Sequence, residues 1–170
     1  FRMMNAMPTQ LPIAITCGDP AGVGPEIIEA LLAADPELAA EAVVIGPRLW
    51  LETLNARHGV TTLAVGDEAF QADPGQPTVE GAALALAAMA AAAQGCREGR
   101  FRGVVTGPVS KYWLCQAGFP FLGQTEFFAD AWGGAPTMAF VGGQLRVVLA
   151  TWHLPLRKVP DALDAACMEK

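Results

Sequence analysis

Four short stretches of this 170-residue chain hold side chains able to do chemistry. Thr16 to Glu26, TCGDPAGVGPE, is a glycine-rich turn carrying Asp19. Thr106 to Lys111, TGPVSK, offers an ammonium and two hydroxyls, and Gly123 to Asp130, GQTEFFAD, opens with an amide and a hydroxyl. Thr151 to Pro160, TWHLPLRKVP, contains His153, one of only two histidines.

The first stretch fits neither standard nucleotide loop. Gly22 and Gly24 would begin G-x-G-x-x-G, but position 27 is Ile; Gly18 would begin a Walker loop, but position 23 is Val. What remains is a turn feeding a helix amino end, where backbone N–H groups can face a polar or anionic ligand. Asp19 argues against a bare phosphate there. Glycines that merely permit the backbone path are an open alternative.

Lys111 falls in the first turn of a helix that Pro108 would start, where the dipole disfavours a cation. It either points into water or meets a ligand carboxylate or phosphate, with Thr106 and Ser110 adding hydroxyls. Thr125 is either a helix cap or a phosphate contact, beside Gln124. His153 alone does not make a zinc site, and His58 sits in a helix-end loop. Any further metal ligands would lie outside the chain.

Composition narrows the function classes. The hydrophobic share is 52% and the charged share 16%, as in a globular domain. A net charge of −6, with eleven scattered Lys and Arg, argues against a nucleic-acid partner. Cys17, Cys96, Cys115 and Cys167 lack metal or redox spacing and read as reduced, packed thiols. The longest apolar block, Ala82 to Ala93, is about half of the ~20 residues a bilayer span needs, so no membrane partner is expected. Residues 1–10 lack a signal-peptide core and read as a ragged leader, with Met3, Met4 and Met7 as alternative starts.

These sites must be positioned by strands predicted over Leu11–Cys17, Ala42–Ile45, Thr61–Val65 and Gly103–Thr106. Helices are predicted over Pro25–Ala34, Arg48–Ala56, Thr78–Gln94 (capped by Gly95), from the GPVSK run to Gln116, and over Thr125–Trp132. Thr137–Val141 and Leu145–Thr151 pair as a hairpin through Gly142 and Gly143. The alternation implies an α/β fold with a mostly parallel sheet covered on both faces. One domain is expected over residues 11–122, and the start of a second over 123–170. Ligands collect at the carboxyl ends of such strands, which brings Gly18–Gly24, Thr106–Lys111 and Thr151–Leu156 to one edge.

In order, ITCGDPAGVGPEI, VVTGPVSK, GQTEFFA and LRVVLATWHLPLRKVPDAL resemble the landmarks of the 4-hydroxythreonine-4-phosphate dehydrogenase family of pyridoxal phosphate biosynthesis, over residues 11 to 163. The resemblance implies an isocitrate/isopropylmalate dehydrogenase-like fold and a cytoplasmic homodimer. It implies NAD- or NADP-dependent oxidation of a phosphorylated hydroxy amino acid, 4-phosphooxy-L-threonine, followed by decarboxylation to 3-amino-2-oxopropyl phosphate. It further implies a divalent metal (zinc, magnesium or cobalt) with His153 as a ligand, substrate binding by Gln124, Thr125 and Lys111, and a cleft wall formed by Asp19, Gly22 and Gly24. No catalytic residue is assigned.

Two departures stand out. Gln124 replaces the family's usual histidine, and an amide cannot become cationic, which leaves open a related four-carbon acid such as threonate or erythronate 4-phosphate. Family members are also much longer, and the chain ends DAACMEK without following the family pattern. An amino-terminal half, inactive alone and missing the dinucleotide residues, is therefore expected. A non-catalytic binding fragment is the rival.

Overall fold

The computed structural model describes residues 10–151 and 153–164. The expectations for residues 1–9 and for Cys167 and the chain's last residues lie outside them. Four short runs, mostly of small and β-branched residues, form strands β1 (Ile13–Thr16), β2 (Ala42–Gly46), β3 (Thr61–Ala64) and β4 (Gly103–Thr106). All pair in parallel, in the order β3-β2-β1-β4.

The connections are helical: α1 (Gly24–Ala34), α2 (Leu38–Glu41), α3 (Arg48–His58), α4 (Val79–Arg97), α5 (Lys111–Gln116) and α6 (Gln124–Trp132). Their ends follow local chemistry. Pro25 and Glu26 occupy the first turn of α1, where a missing N–H and a negative charge are both favourable. Thr78 caps α4 by accepting the Gly81 N–H at 3.0 Å, and Gly59 ends α3 in the left-handed conformation.

Two apolar layers enclose the sheet. Ile15 and Val44 pack with Ile28 and Leu32 of α1 and with Leu51 and Leu54 of α3. On the other face, Ala14 and Ile45 pack with Leu84, Ala88 and Ala92 of α4 and with Phe101. Beyond α4, Met89 and Ala93 meet Leu114, Phe119 and Phe128. By length and hydropathy the whole of α4 could cross a membrane, since it runs beyond the Ala82–Ala93 block. Its burial against the sheet, α5 and α6 identifies it as a core helix.

Three expectations change. Gly95 does not cap α4; the helix continues to Arg97, and Gly95 lies inside it because the Phe101 ring packs where a Cβ would stand. The covered-sheet expectation fails at β4, whose Val105 is 47% exposed. The chain divides after Trp132 rather than after residue 122. The cause is packing: Phe128 is buried with Leu114 and Met89, and the Trp132 indole N–H donates to the Ala93 carbonyl at 3.2 Å, tying α6 to the first unit.

The second unit contains an antiparallel hairpin of β5 (Ala139–Gly142) and β6 (Leu145–Val148), turned by Gly143. A 3-10 turn, Leu156–Lys158, and α7 (Val159–Ala162) follow.

Gly95→Ala should destabilise the chain by about 1–3 kcal/mol, because overpacking against Phe101 exceeds alanine's helix advantage of about 1 kcal/mol. Gly103→Ala, with open space at its Cβ position, should change stability little. Urea titration of both variants provides the check; equal midpoints would contradict the packing role of Gly95.

Candidate functional site

From β1 the chain adds β2 and β3 on one side, then returns to place β4 on the other. The carboxyl ends of β1 and β4 therefore flank the point where the winding reverses, the place where open α/β sheets hold ligands. The turns after these two strands are locked together. Asp19 N–H donates to the Pro108 carbonyl at 2.8 Å, and Gly107 N–H donates to the Thr16 carbonyl at 3.0 Å.

Such closeness excludes side chains. Gly18 has φ +71°, and a Cβ there would overlap the Pro108 carbonyl oxygen. A Cβ on Gly24 would overlap the Cys17 carbonyl oxygen. These glycines let backbone meet backbone and do not form an open phosphate cradle. Gly22 is exposed at the turn's tip. Asp19 is buried; its Oδ1 accepts the Ala21 N–H at 3.0 Å and its carbonyl accepts the Gly22 N–H at 2.9 Å. The residue thus closes its own turn.

A third segment joins at α6. Gln124 Nε2 donates to the Gly107 carbonyl at 3.4 Å, and Oε1 is buried without a partner among the described residues. The orientation follows, since turning the amide over would set two carbonyl oxygens against each other. Lys111 reaches the same corner: its Nζ lies 3.9 Å, and Glu126 Oε2 3.1 Å, from where a Cβ of Gly123 would stand. Among the described residues no ion pair neutralises Lys111. Thr125 is exposed in the first turn of α6. The corner therefore holds both a cation, Lys111, and an anion, Glu126, beside the amino ends of α5 and α6.

The helix after TGPVSK starts later than expected. Pro108 belongs to the locked turn, and Ser110 is the cap of α5, its Oγ accepting the Trp113 N–H at 3.4 Å. Gly107 was not among the sequence candidates, yet it connects all three segments; a glycine immediately after a strand was the only signal for it. Beside the opening turn, at the same edge, a cavity of about 350 Å³ is lined by Pro20, Pro25, Pro47, Trp50 and Phe70. A larger one, about 460 Å³, lies among Pro12, Ala42 and Arg102 at the amino ends of the strands, away from these groups.

His153 belongs to the second unit, exposed, with a left-handed backbone at φ 56°. Among the described residues, no three His, Cys, Asp or Glu side chains gather to hold a metal. The described part of this chain thus lacks a complete metal donor set.

A profile of the family described as pyridoxal phosphate biosynthetic protein PdxA matches residues 26–170. The chain belongs to the PdxA family. A PdxA relative, the 4-hydroxythreonine-4-phosphate dehydrogenase of Thioalkalivibrio sulfidiphilus, is 40% identical over 183 residues, a match covering 96% of this chain and 55% of that protein. The crystal structure of the Burkholderia phymatum 4-hydroxythreonine-4-phosphate dehydrogenase superposes with a TM-score of 0.79 at 26% identity, covering 95% of this chain and 56% of that one. A terephthalate 1,2-cis-dihydrodiol dehydrogenase from Burkholderia xenovorans superposes with a TM-score of 0.72 at 26% identity, covering 94% and 54%. The chain spans about half the length of the curated relatives it matches.

Burial, reinforced by the Asp19 charge, pushes the Cys17 thiol up to about 12 from 9.0. Its neutral form is thus favoured by folding, and stability should fall from about pH 9, where the unfolded thiol ionises, toward pH 12. Comparison of alkaline unfolding curves should show a shallower decline in Cys17→Ala. Peptide-level alkylation at pH 8 should modify exposed Cys115 well before Cys17; equal rates would contradict the burial.

Proposed function

We propose that this chain supplies one wall of an NAD(P)-dependent dehydrogenase of the isocitrate/isopropylmalate type. That enzyme oxidises 4-phosphooxy-L-threonine to 2-amino-3-oxo-4-phosphooxybutanoate, which decarboxylates to 3-amino-2-oxopropyl phosphate. The observation that carries this reading is the corner where Lys111, Gln124 and the Gly107 turn meet, at the β1–β4 reversal of a PdxA-family chain.

Lys111 holds a substrate anion, helped by the amino ends of α5 and α6. Gln124, anchored on the Gly107 carbonyl, shapes the pocket, and Thr125 contributes a hydroxyl. NAD(P), when bound, supplies the hydride acceptor. The new ketone lies β to the carboxylate and takes up the electron pair left by CO₂ as an enolate, which a proton from solvent then quenches, so decarboxylation needs no further electron sink. His153 is proposed as one ligand of a divalent ion, its other donors lying beyond this chain. The enzyme acts as a cytoplasmic homodimer, and the 170-residue chain does not turn over alone.

Gln124 favours a second reading, a dehydrogenase for a related phospho-acid such as erythronate 4-phosphate. The superposition with a dehydrogenase named for a different substrate is consistent with that breadth.

Calorimetry with 4-phosphooxy-L-threonine should show binding that weakens about tenfold or more in Lys111→Ala, the loss of a charged hydrogen bond. Unchanged affinity would remove Lys111 from the site, and tighter binding of erythronate 4-phosphate would select the second reading. Steady-state assay of the chain with NAD(P) and divalent metal should show no turnover; robust activity would refute the half-site reading.

A further inference from the structure

Two opposite charges meet at Gly123 without pairing. Glu126, half-buried at the third position of α6, places Oε2 3.1 Å from where a Cβ of Gly123 would stand, and Lys111 places Nζ 3.9 Å from the same point. No ion pair among the described residues includes either group. The glycine keeps this space open, since any other residue would set its β-carbon against both charges. An ion pair open to water contributes little. Little therefore draws the ammonium and the carboxylate together, and each can take its partner from a ligand. The other polar groups here are committed. Asp19 closes its own turn, and the neutral Gln124 amide is spent on the Gly107 carbonyl. Glu126 is left as the acid that can meet a cation.

The two substrates considered above differ at one atom that this arrangement can read. In 4-phosphooxy-L-threonine the carbon beside the carboxylate bears an ammonium; in threonate or erythronate 4-phosphate it bears a hydroxyl. Lys111 cannot separate them, because both ligands carry the same anionic groups. We propose that Glu126 determines specificity, accepting a hydrogen bond from the substrate α-ammonium while Lys111 holds a substrate anion, so that the corner selects phosphorylated amino acids over the corresponding hydroxy acids. The inference rests on the dehydrogenase reading above and narrows it to one substrate class. Its energetic basis is charge. A hydrogen bond between ammonium and carboxylate is roughly twice as strong as one between neutral groups, and a half-buried carboxylate facing only a hydroxyl keeps its charge uncompensated. Glu126 also suits its helix position, where a negative charge or a back-bonding Glu or Gln supports the amino end. That structural role is served by glutamine too, whereas ammonium capture needs the carboxylate.

The test is calorimetry on the 170-residue chain with 4-phosphooxy-L-threonine and with threonate 4-phosphate of matching configuration. The parent should bind the amino acid about tenfold or more tightly than the hydroxy acid. Glu126→Gln should erase that preference, weakening 4-phosphooxy-L-threonine about tenfold and leaving threonate 4-phosphate unchanged or tighter, with the thermal melt of the parent retained. Lys111→Ala should weaken both ligands and keep the preference. Equal affinities in the parent, a preference that survives in Glu126→Gln, or a lowered melt with both ligands weakened alike would each overturn the role of Glu126. The dehydrogenase reading is judged separately: binding of 4-phosphooxy-L-threonine that Glu126→Gln leaves intact removes Glu126 alone, whereas binding of neither ligand to the folded parent removes the reading and this inference together.

Discussion

The contact on which the site depends is between backbone and backbone: the turn after β1 pressed against the turn after β4. Asp19 N–H donates to Pro108, and Gly107 N–H donates to Thr16. This contact ties together the two strands that flank the reversal of winding, and Gln124 extends it to α6 through the Gly107 carbonyl. Any side chain at Gly18 or Gly107 would force the turns apart. The corner holding Lys111 would then shift with them, since α5 begins directly after Pro108, Val109 and Ser110.

Within that frame Asp19 and Lys111 are engaged differently. Asp19 is committed to its own turn, so its charge is an internal part of the loop. Lys111 is exposed and unpaired among the described residues, in a helix first turn that favours anions. A cation there is weakly disfavoured by the helix and most useful when an anion shares the corner. Gln124 is neutral, and its oxygen is buried without a partner among the described residues. A histidine at this position could carry charge into the corner; glutamine instead fastens α6 to the β4 turn and leaves Lys111 as its cation.

The sequence was most informative where local rules suffice. Four apolar runs became four strands, and Pro25 and Thr78 marked helix starts through a fixed φ and orphan N–H groups. It was least informative where a residue's role depends on a distant partner. Gly95 resembles a helix stop, and only the Phe101 ring explains it inside α4. Ser110 resembles a ligand hydroxyl and serves as a cap. The glycine-rich turn announced close approach without saying whether a phosphate or another loop approaches; the loop from β4 does. Asp130 and Trp132 follow a loop at 118–123 that reads as a boundary, but Phe128 and Trp132 hold their helix to α4.

The same topology explains why a well-ordered wall need not be a working site. Brought beside β1, β4 is both the strand that creates the crevice and the last strand of the sheet. Its carboxyl end therefore supplies one lip of a cleft, with no described strand beyond it to supply another. A ligand anchored at Lys111 would remain open to water on that side, and water weakens the electrostatic contacts on which an anion site depends. The exposed Val105 and the open side of the crevice thus have one cause, the place of β4 as the last described strand of the sheet.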